Sequence, residues 1–148
     1  MKLTPIQMLD AMLVLCTQRF AGKFDKNGQP YILHCLAVMY GLDTDDYELM
    51  CIGLGHDLVE DTKTSYEELK NIGMSDRVIL GIRGMTRVPG ETEEEYQTRV
   101  LSNPDTIKAK KSDIRHNTDV RRMKGTSEKD MARTAKYFRF YARLEAAS

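Results

Sequence analysis

Residues 53–62 read GLGHDLVEDT, and no other stretch restricts the fold as tightly: four ionisable side chains, His56, Asp57, Glu60 and Asp61, continue an apolar run, YELMCIGLG, that has to be buried. Leu49, Ile52 and their neighbours suggest a helix enclosed on most sides, and Gly53 and Gly55 imply close packing. On one continuous helix residues four apart share a face, so His56 stands above Glu60 and Asp57 above Asp61, while neighbours diverge by about 100°. Buried carboxylates without partners are strongly destabilising, so the stretch demands a polar cavity or a cation. A divalent ion is the most direct answer. Adjacent His and Asp offer it one nitrogen and one oxygen, and the remaining ligands have to come from other helices, for which His34 and Asp113 are the candidates.

The rest of the chain is patterned for helices. Thr4-Pro5 is a start signal, after which Ile6, Leu9, Leu13 and Cys16 recur at helical spacing. The loop GKFDKNGQP follows, with Pro30 suited to a helix start and His34 one turn further on. Asp43 to Asp46 cap the apolar helix, and Thr64 to Glu67 has the capping-box form, opening a short helix to about Asn71. Ser75 and Asp76 start another that ends near Thr86. EEEYQTRVL and PDTIKAKKSDIRHNTDV read as two more, the second with Pro104 at its start, and the last helix runs from about Ser127 through Tyr137, Phe140, Tyr141 and Leu144. No period-2 pattern competes. The expectation is one all-α domain over residues 1–148, a compact helical bundle with a metal site between helices.

Composition narrows the function classes. Twenty-two basic residues balance twenty-two acidic ones, so neither nucleic acid nor an anionic membrane is an expected partner, and oligomeric state is left open. No segment approaches the roughly 18 apolar residues that span a membrane, and the amino terminus has no cleavage signal. Cys16, Cys35 and Cys51 lack metal-type pairing or an even disulfide count, which favours free thiols and a cytoplasmic location.

Taken singly, the polar residues have ordinary readings. His34 on an apolar helix fits a hydrogen-bonded core histidine, Asp113 with Asn117 fits a solvated helix face, and Lys108, Lys110 and Lys111 fit a solubilising surface. Glu60 and Asp61 fit an acidic helix end, although acid there opposes the dipole. Their joint arrangement carries the argument.

The segments NGQPYILH, LGHDLVEDT and KKSDIRHN occur in the order and approximate separation found in HD-domain metal-dependent phosphohydrolases. Over nearly its whole length the chain resembles the hydrolases of guanosine 3′,5′-bis(diphosphate), ppGpp, of the Rel/Spo type. From MTRVPGETEEEYQTRVL onward it is more similar to the short, stand-alone members, and no synthetase domain is expected within these 148 residues. The resemblance implies an HD-domain helical bundle in which His34, His56, Asp57 and Asp113 bind one divalent ion, usually manganese. It implies that Glu60 and Asp61 orient or deprotonate the attacking water, that Asn117 contacts ribose or phosphate, and that Lys26 and Lys110 neutralise a pyrophosphate, with Arg83 or Arg87 as helpers. Tyr31 is expected to pack beside the site and His116 to be structural.

Three departures bear on the small nucleotide substrate. The longer Rel/Spo enzymes carry an arginine-lysine pair before Ser-Gly-Glu-Pro-Tyr, the arginine stacking on guanine, where this chain has Asp25-Lys26. Cys35 stands for the usual proline after the first histidine. Ile114 and Arg115 stand for the customary arginine and hydrophobic residue. The favoured activity is removal of the 3′-pyrophosphate of ppGpp; the alternatives are a phosphatase acting on NADPH or nucleoside monophosphates, and a non-catalytic nucleotide-binding module.

Overall fold

Each helix begins where a short polar side chain satisfies the free backbone N–H groups of its first turn. The computed structural model describes residues 2–123 and 125–148. In α1 (Pro5–Arg19) the Thr4 hydroxyl and the Gln7 side chain cap one another's backbone, and Pro5 occupies the first turn. α2 (Ile32–Gly41), α3 (Tyr47–Gly55), a single turn α4 (Leu58–Asp61), α5 (Tyr66–Asn71), α6 (Asp76–Met85), α7 (Glu93–Leu101), α8 (Pro104–Asn117) and α9 (Glu128–Ala146) follow, with a 3-10 turn at Val120–Arg122. Among the described residues the extended pairing is one isolated antiparallel bridge, Phe24 to Pro30.

α3 is the hub. It packs against α1, α2, α6 and α8, and Leu49, Cys51, Ile52, Gly53, Leu54 and Gly55 are all buried. Both glycines make room for that approach: a Cβ on Gly53 would stand 2.9 Å from Leu42 Cδ1, and one on Gly55 3.0 Å from Met12 Sδ, so either side chain would have to shift. α8 separates two cores. Ala109 belongs to the larger, with α1, α2, α3 and α6, while Ile107 and Ile114 join Tyr96, Val100, Phe140 and Leu144 in a smaller one with α7 and α9. Ser112 fixes its register by donating to Val38 O at 2.7 Å.

Four local expectations are corrected. The apolar segment is not one helix through Glu60: α3 stops at Gly55, His56 is its cap, and Asp57 sits at φ −102°, ψ 0° before α4 starts. The buried stripe of α1 is Met8, Leu9, Met12, Leu15 and Cys16, with Ile6 exposed, because Met12 is the residue that meets Gly55. Ser65, not Thr64, caps α5, with Glu68 reciprocating; Thr64 is buried and bonded to Thr62 and Arg19. Pro30 precedes α2 by two residues and serves in the bridge with Phe24. The three cysteines are free and buried, and no helix among the described residues is long and apolar enough to cross a membrane.

Candidate metal centre and its cavity

The break after Gly55 brings His56 and Asp57 onto one point. On an unbroken helix these neighbours diverge, whereas the bridge-region conformation of Asp57 turns its carboxylate back until Oδ2 lies 3.0 Å from His56 Nε2. His34 arrives from α2 and Asp113 from α8. His34 Nε2 is 3.0 Å from Asp113 Oδ1 and 3.8 Å from Asp57 Oδ2, and His56 Nε2 is 3.4 Å from Asp113 Oδ1. Adjacent ligand atoms around an ion at ~2.1 Å in octahedral geometry stand ~3 Å apart, so these separations match a shared centre.

The protonation of His56 fits the same purpose. Its Nδ1 lies 2.7 Å from Gly53 O and has to donate to that carbonyl, which directs the Nε2 lone pair at the carboxylates. Among the described residues His56 Nε2 is the buried side-chain polar atom without a hydrogen-bond partner. Burial opposes a charge on His56, yet Asp57 and Asp113 outweigh it and raise the imidazole well above its ordinary value. The position favours positive charge, and a divalent ion fits it. His34, His56 and Asp113 form one potential metal-holding group, and Asp57, Glu60 and Asp61 form a second beside it.

Further groups hold the ligands in place. Tyr31 Oη donates to Asp57 Oδ2 at 2.6 Å while its ring packs 5.1 Å from Phe20 and 5.5 Å from His34. Lys110 Nζ donates to Asp113 Oδ2 at 2.9 Å, and Asn117 Nδ2 donates to Oδ1 at 3.1 Å. His34 Nδ1 is 2.7 Å from His116 Nδ1, the two rings lying edge to edge with centroids 5.0 Å apart. Burial and the Arg122 charge lower His116 to about 4. The structure thus brings Lys110 and Asn117 to the site through Asp113, and gives Tyr31 a bond that the sequence did not signal.

Above this floor opens a cavity of about 780 Å³. Glu60, Asp61, Lys26 and Arg87 line it. Glu60 Oε1 accepts the Arg87 backbone N–H at 2.8 Å, and partial removal from water, followed by the charges of Asp57 and Glu60, pushes Asp61 up to about 6. Lys26 makes no ion pair among the described residues. Arg83 does not line this cavity; its guanidinium lies 4.1 Å from the Tyr66 ring and borders a separate cleft. The far wall went unforeseen: Lys129, Arg133 and Tyr137 of α9 line it, together with Arg122. Their i, i+4, i+8 spacing was the available signal. Arg122 donates to Asp25 Oδ2 at 3.1 Å, so the aspartate in the arginine's place is tied to a cation from elsewhere.

A histidine from α2, the adjacent His56-Asp57 pair and an aspartate from α8 are gathered inside a helical bundle that has the HD-domain fold. The curated proteins it is similar to include a ppGpp pyrophosphohydrolase and GTP pyrophosphokinases. The chain is 36% identical over 98 residues to a guanosine-3′,5′-bis(diphosphate) 3′-pyrophosphohydrolase of Aquifex aeolicus, covering 60% of this chain and 14% of that protein. It is 33% identical over 108 residues to a GTP pyrophosphokinase of Streptomyces coelicolor, covering 65% and 12%, and 31% identical over 133 residues to a probable GTP pyrophosphokinase of Mycobacterium leprae, covering 80% and 16%. The chain therefore spans a small part of these relatives. The same fold occurs in a metazoan ortholog of SpoT that hydrolyses ppGpp, with a TM-score of 0.74 at 18% identity over 93% of this chain and 84% of that one. No family model matches the chain.

Proposed function

We propose that the chain is a metal-dependent nucleotide phosphohydrolase that removes the 3′-pyrophosphate of ppGpp. The observation that carries this reading is the unpartnered Nε2 of buried His56, aimed with His34 Nε2 at the carboxylates of Asp57 and Asp113 on the floor of a nucleotide-sized cavity. His34, His56, Asp57 and Asp113 would hold a divalent ion, manganese in this reading. When bound, such an ion polarises a phosphoryl oxygen and acidifies a water.

The chain's own residues do the rest. Glu60 and Asp61, on the cavity wall beside Asp57, orient the attacking water, and one of the two carboxylates takes its proton. The water oxygen bonds to the phosphorus that carries the 3′ ribose oxygen, and the bond between that phosphorus and the 3′ oxygen breaks. The electron pair leaves with the ribose oxygen, which takes up a proton, so GDP and pyrophosphate are the products. Lys26 and Arg87, both lining the cavity, supply positive charge for the departing pyrophosphate. Lys110 and Asn117 each give one hydrogen to Asp113, and both line the cavity where phosphate and ribose would lie.

One observation favours keeping a second substrate in the test. Asp25 occupies the place of the base-stacking arginine and is engaged by Arg122, a departure that leaves NADPH or nucleoside monophosphates as alternatives. Manganese-dependent turnover of ppGpp, NADPH and nucleoside monophosphates, with products identified, separates them: intact pyrophosphate from ppGpp supports the proposal, orthophosphate from the others supports the alternative, and no turnover with retained nucleotide binding supports a binding module.

A further inference from the structure

Buried His34 presents only acceptors to its Nε2, Asp113 Oδ1 at 3.0 Å and Asp57 Oδ2 at 3.8 Å, while its Nδ1 faces a single group, His116 Nδ1 at 2.7 Å. Two nitrogens at that distance share one hydrogen, and which ring carries it decides whether His34 can ligate. If His116 Nδ1 donated, His34 would keep its own proton on Nε2, and the lone pair required by an ion would be lost. If His34 Nδ1 donates, Nε2 is released to the centre. We propose that His116 is a positioning residue that accepts from His34 Nδ1 and so fixes the tautomer and ring direction of His34 for metal binding.

The surroundings of His116 suit that task. Its ring lies nearly parallel to His34, at an interplanar angle of 26°. Its backbone carbonyl accepts from Arg122 Nη1 at 2.7 Å and from the Asp119 N–H at 3.3 Å, anchoring the residue at the end of α8. Arg122 in turn binds Asp25, and Asn27 Nδ2 donates to Arg122 O at 2.7 Å, so the hairpin that precedes His34 and the turn that follows His116 are joined. His56 uses a backbone carbonyl for the same purpose, the Gly53 oxygen. The two histidines at the centre are thus set by different acceptors, one from the main chain and one from a side chain, and the second can be changed by mutation.

This inference rests on the metal reading of the centre, and the experiment distinguishes the two. Without an ion the carboxylates facing His34 Nε2 hold a proton there, so nitrogen-15 NMR of the imidazoles is read with magnesium present as a diamagnetic ion, where it reports the proton on His34 Nδ1. Wild type should show Nδ1 protonated. His116→Leu should lose that signature and bind manganese about 10- to 100-fold more weakly by calorimetry, the usual effect of removing a partner of a metal-ligating histidine. His116→Asn places an amide oxygen near the Nδ1 position and should recover most of the affinity and the His34 tautomer; it is also the working variant if His116→Leu does not fold. Wild-type manganese affinity in His116→Leu, an Asn variant no better than Leu, or an unprotonated His34 Nδ1 in wild type would overturn the inference. Wild type that binds no divalent ion by calorimetry would overturn the metal reading instead.

Discussion

The ammonium of Lys110 lies 2.9 Å from Oδ2 of Asp113, one turn further along α8, and both residues are buried. Burial disfavours the charge on Lys110, but Asp113 beside it raises the ammonium above its ordinary value, so the pair stays ionised. Removing one member leaves the other charged without a partner, which costs about 3–5 kcal/mol in buried pairs. Lys110→Met should therefore lower the thermal midpoint strongly, and should weaken manganese binding because Asp113 loses the contact that orients it. A manganese titration followed by differential scanning fluorimetry reads both effects; an unchanged midpoint and affinity would contradict the assigned role.

Glu60 stands outside the four proposed ligands, with Oε1 on the Arg87 backbone N–H. Glu60→Gln keeps the side chain's size and should leave manganese affinity near that of wild type while turnover of ppGpp falls by about 10²–10⁴, the range for loss of a positioned general base. Asp57→Ala should lose both. Calorimetry beside a product assay separates these outcomes, and comparable metal loss in the two variants would place Glu60 among the ligands.

The candidate centre was legible in the sequence through the joint order of NGQPYILH, LGHDLVEDT and KKSDIRHN, not through any one residue. A buried run that ends in four ionisable groups needs a counter-charge, and His34 and Asp113 lie on helices whose apolar faces direct them inward. The break between Gly55 and Leu58 was not legible: LGHDLVED carries no proline or turn signal, and the interruption is set by the convergence of His56 and Asp57 on residues of α2 and α8. Thr64 and Ser65 both start tetrads of capping form, and only the buried contacts of Thr64 decide between them. The wall supplied by α9 was hidden for another reason. Lys129 and Arg133 disappear into a chain of zero net charge, and their place above the centre depends on how α8 and α9 pack.

Metal removal should be visible in stability as well as in activity. An ion that binds the folded chain alone stabilises it by about 2.7 kcal/mol at a hundred times its dissociation constant. Dialysis against a chelator should abolish turnover and lower the thermal midpoint, and added manganese should restore both. A midpoint indifferent to chelator and to manganese would mean that the four side chains hold no ion.

The delivery of His56 depends on α3, whose N-cap, Asp46, accepts from the Leu49 N–H at 3.2 Å and pairs with Arg77 at 2.7 Å; Arg77 also binds Glu48 and Asp105. The Arg77 guanidinium, opposed by partial burial and helped by the Leu49 N–H, holds Asp46 below its ordinary 3.8. Because the folded value is the lower one, the stabilisation is complete above the unfolded value and disappears as pH falls through the folded one. The pair is partly exposed, so its worth is about 0.5–1 kcal/mol. Asp46→Asn retains a good cap and removes the charge. Its midpoint should lie below that of wild type at neutral pH, and the gap should close on acidification below the unfolded value. A gap that stays constant with pH, measured by thermal melts of both proteins across that range, would assign the loss to the cap and not to the ion pair.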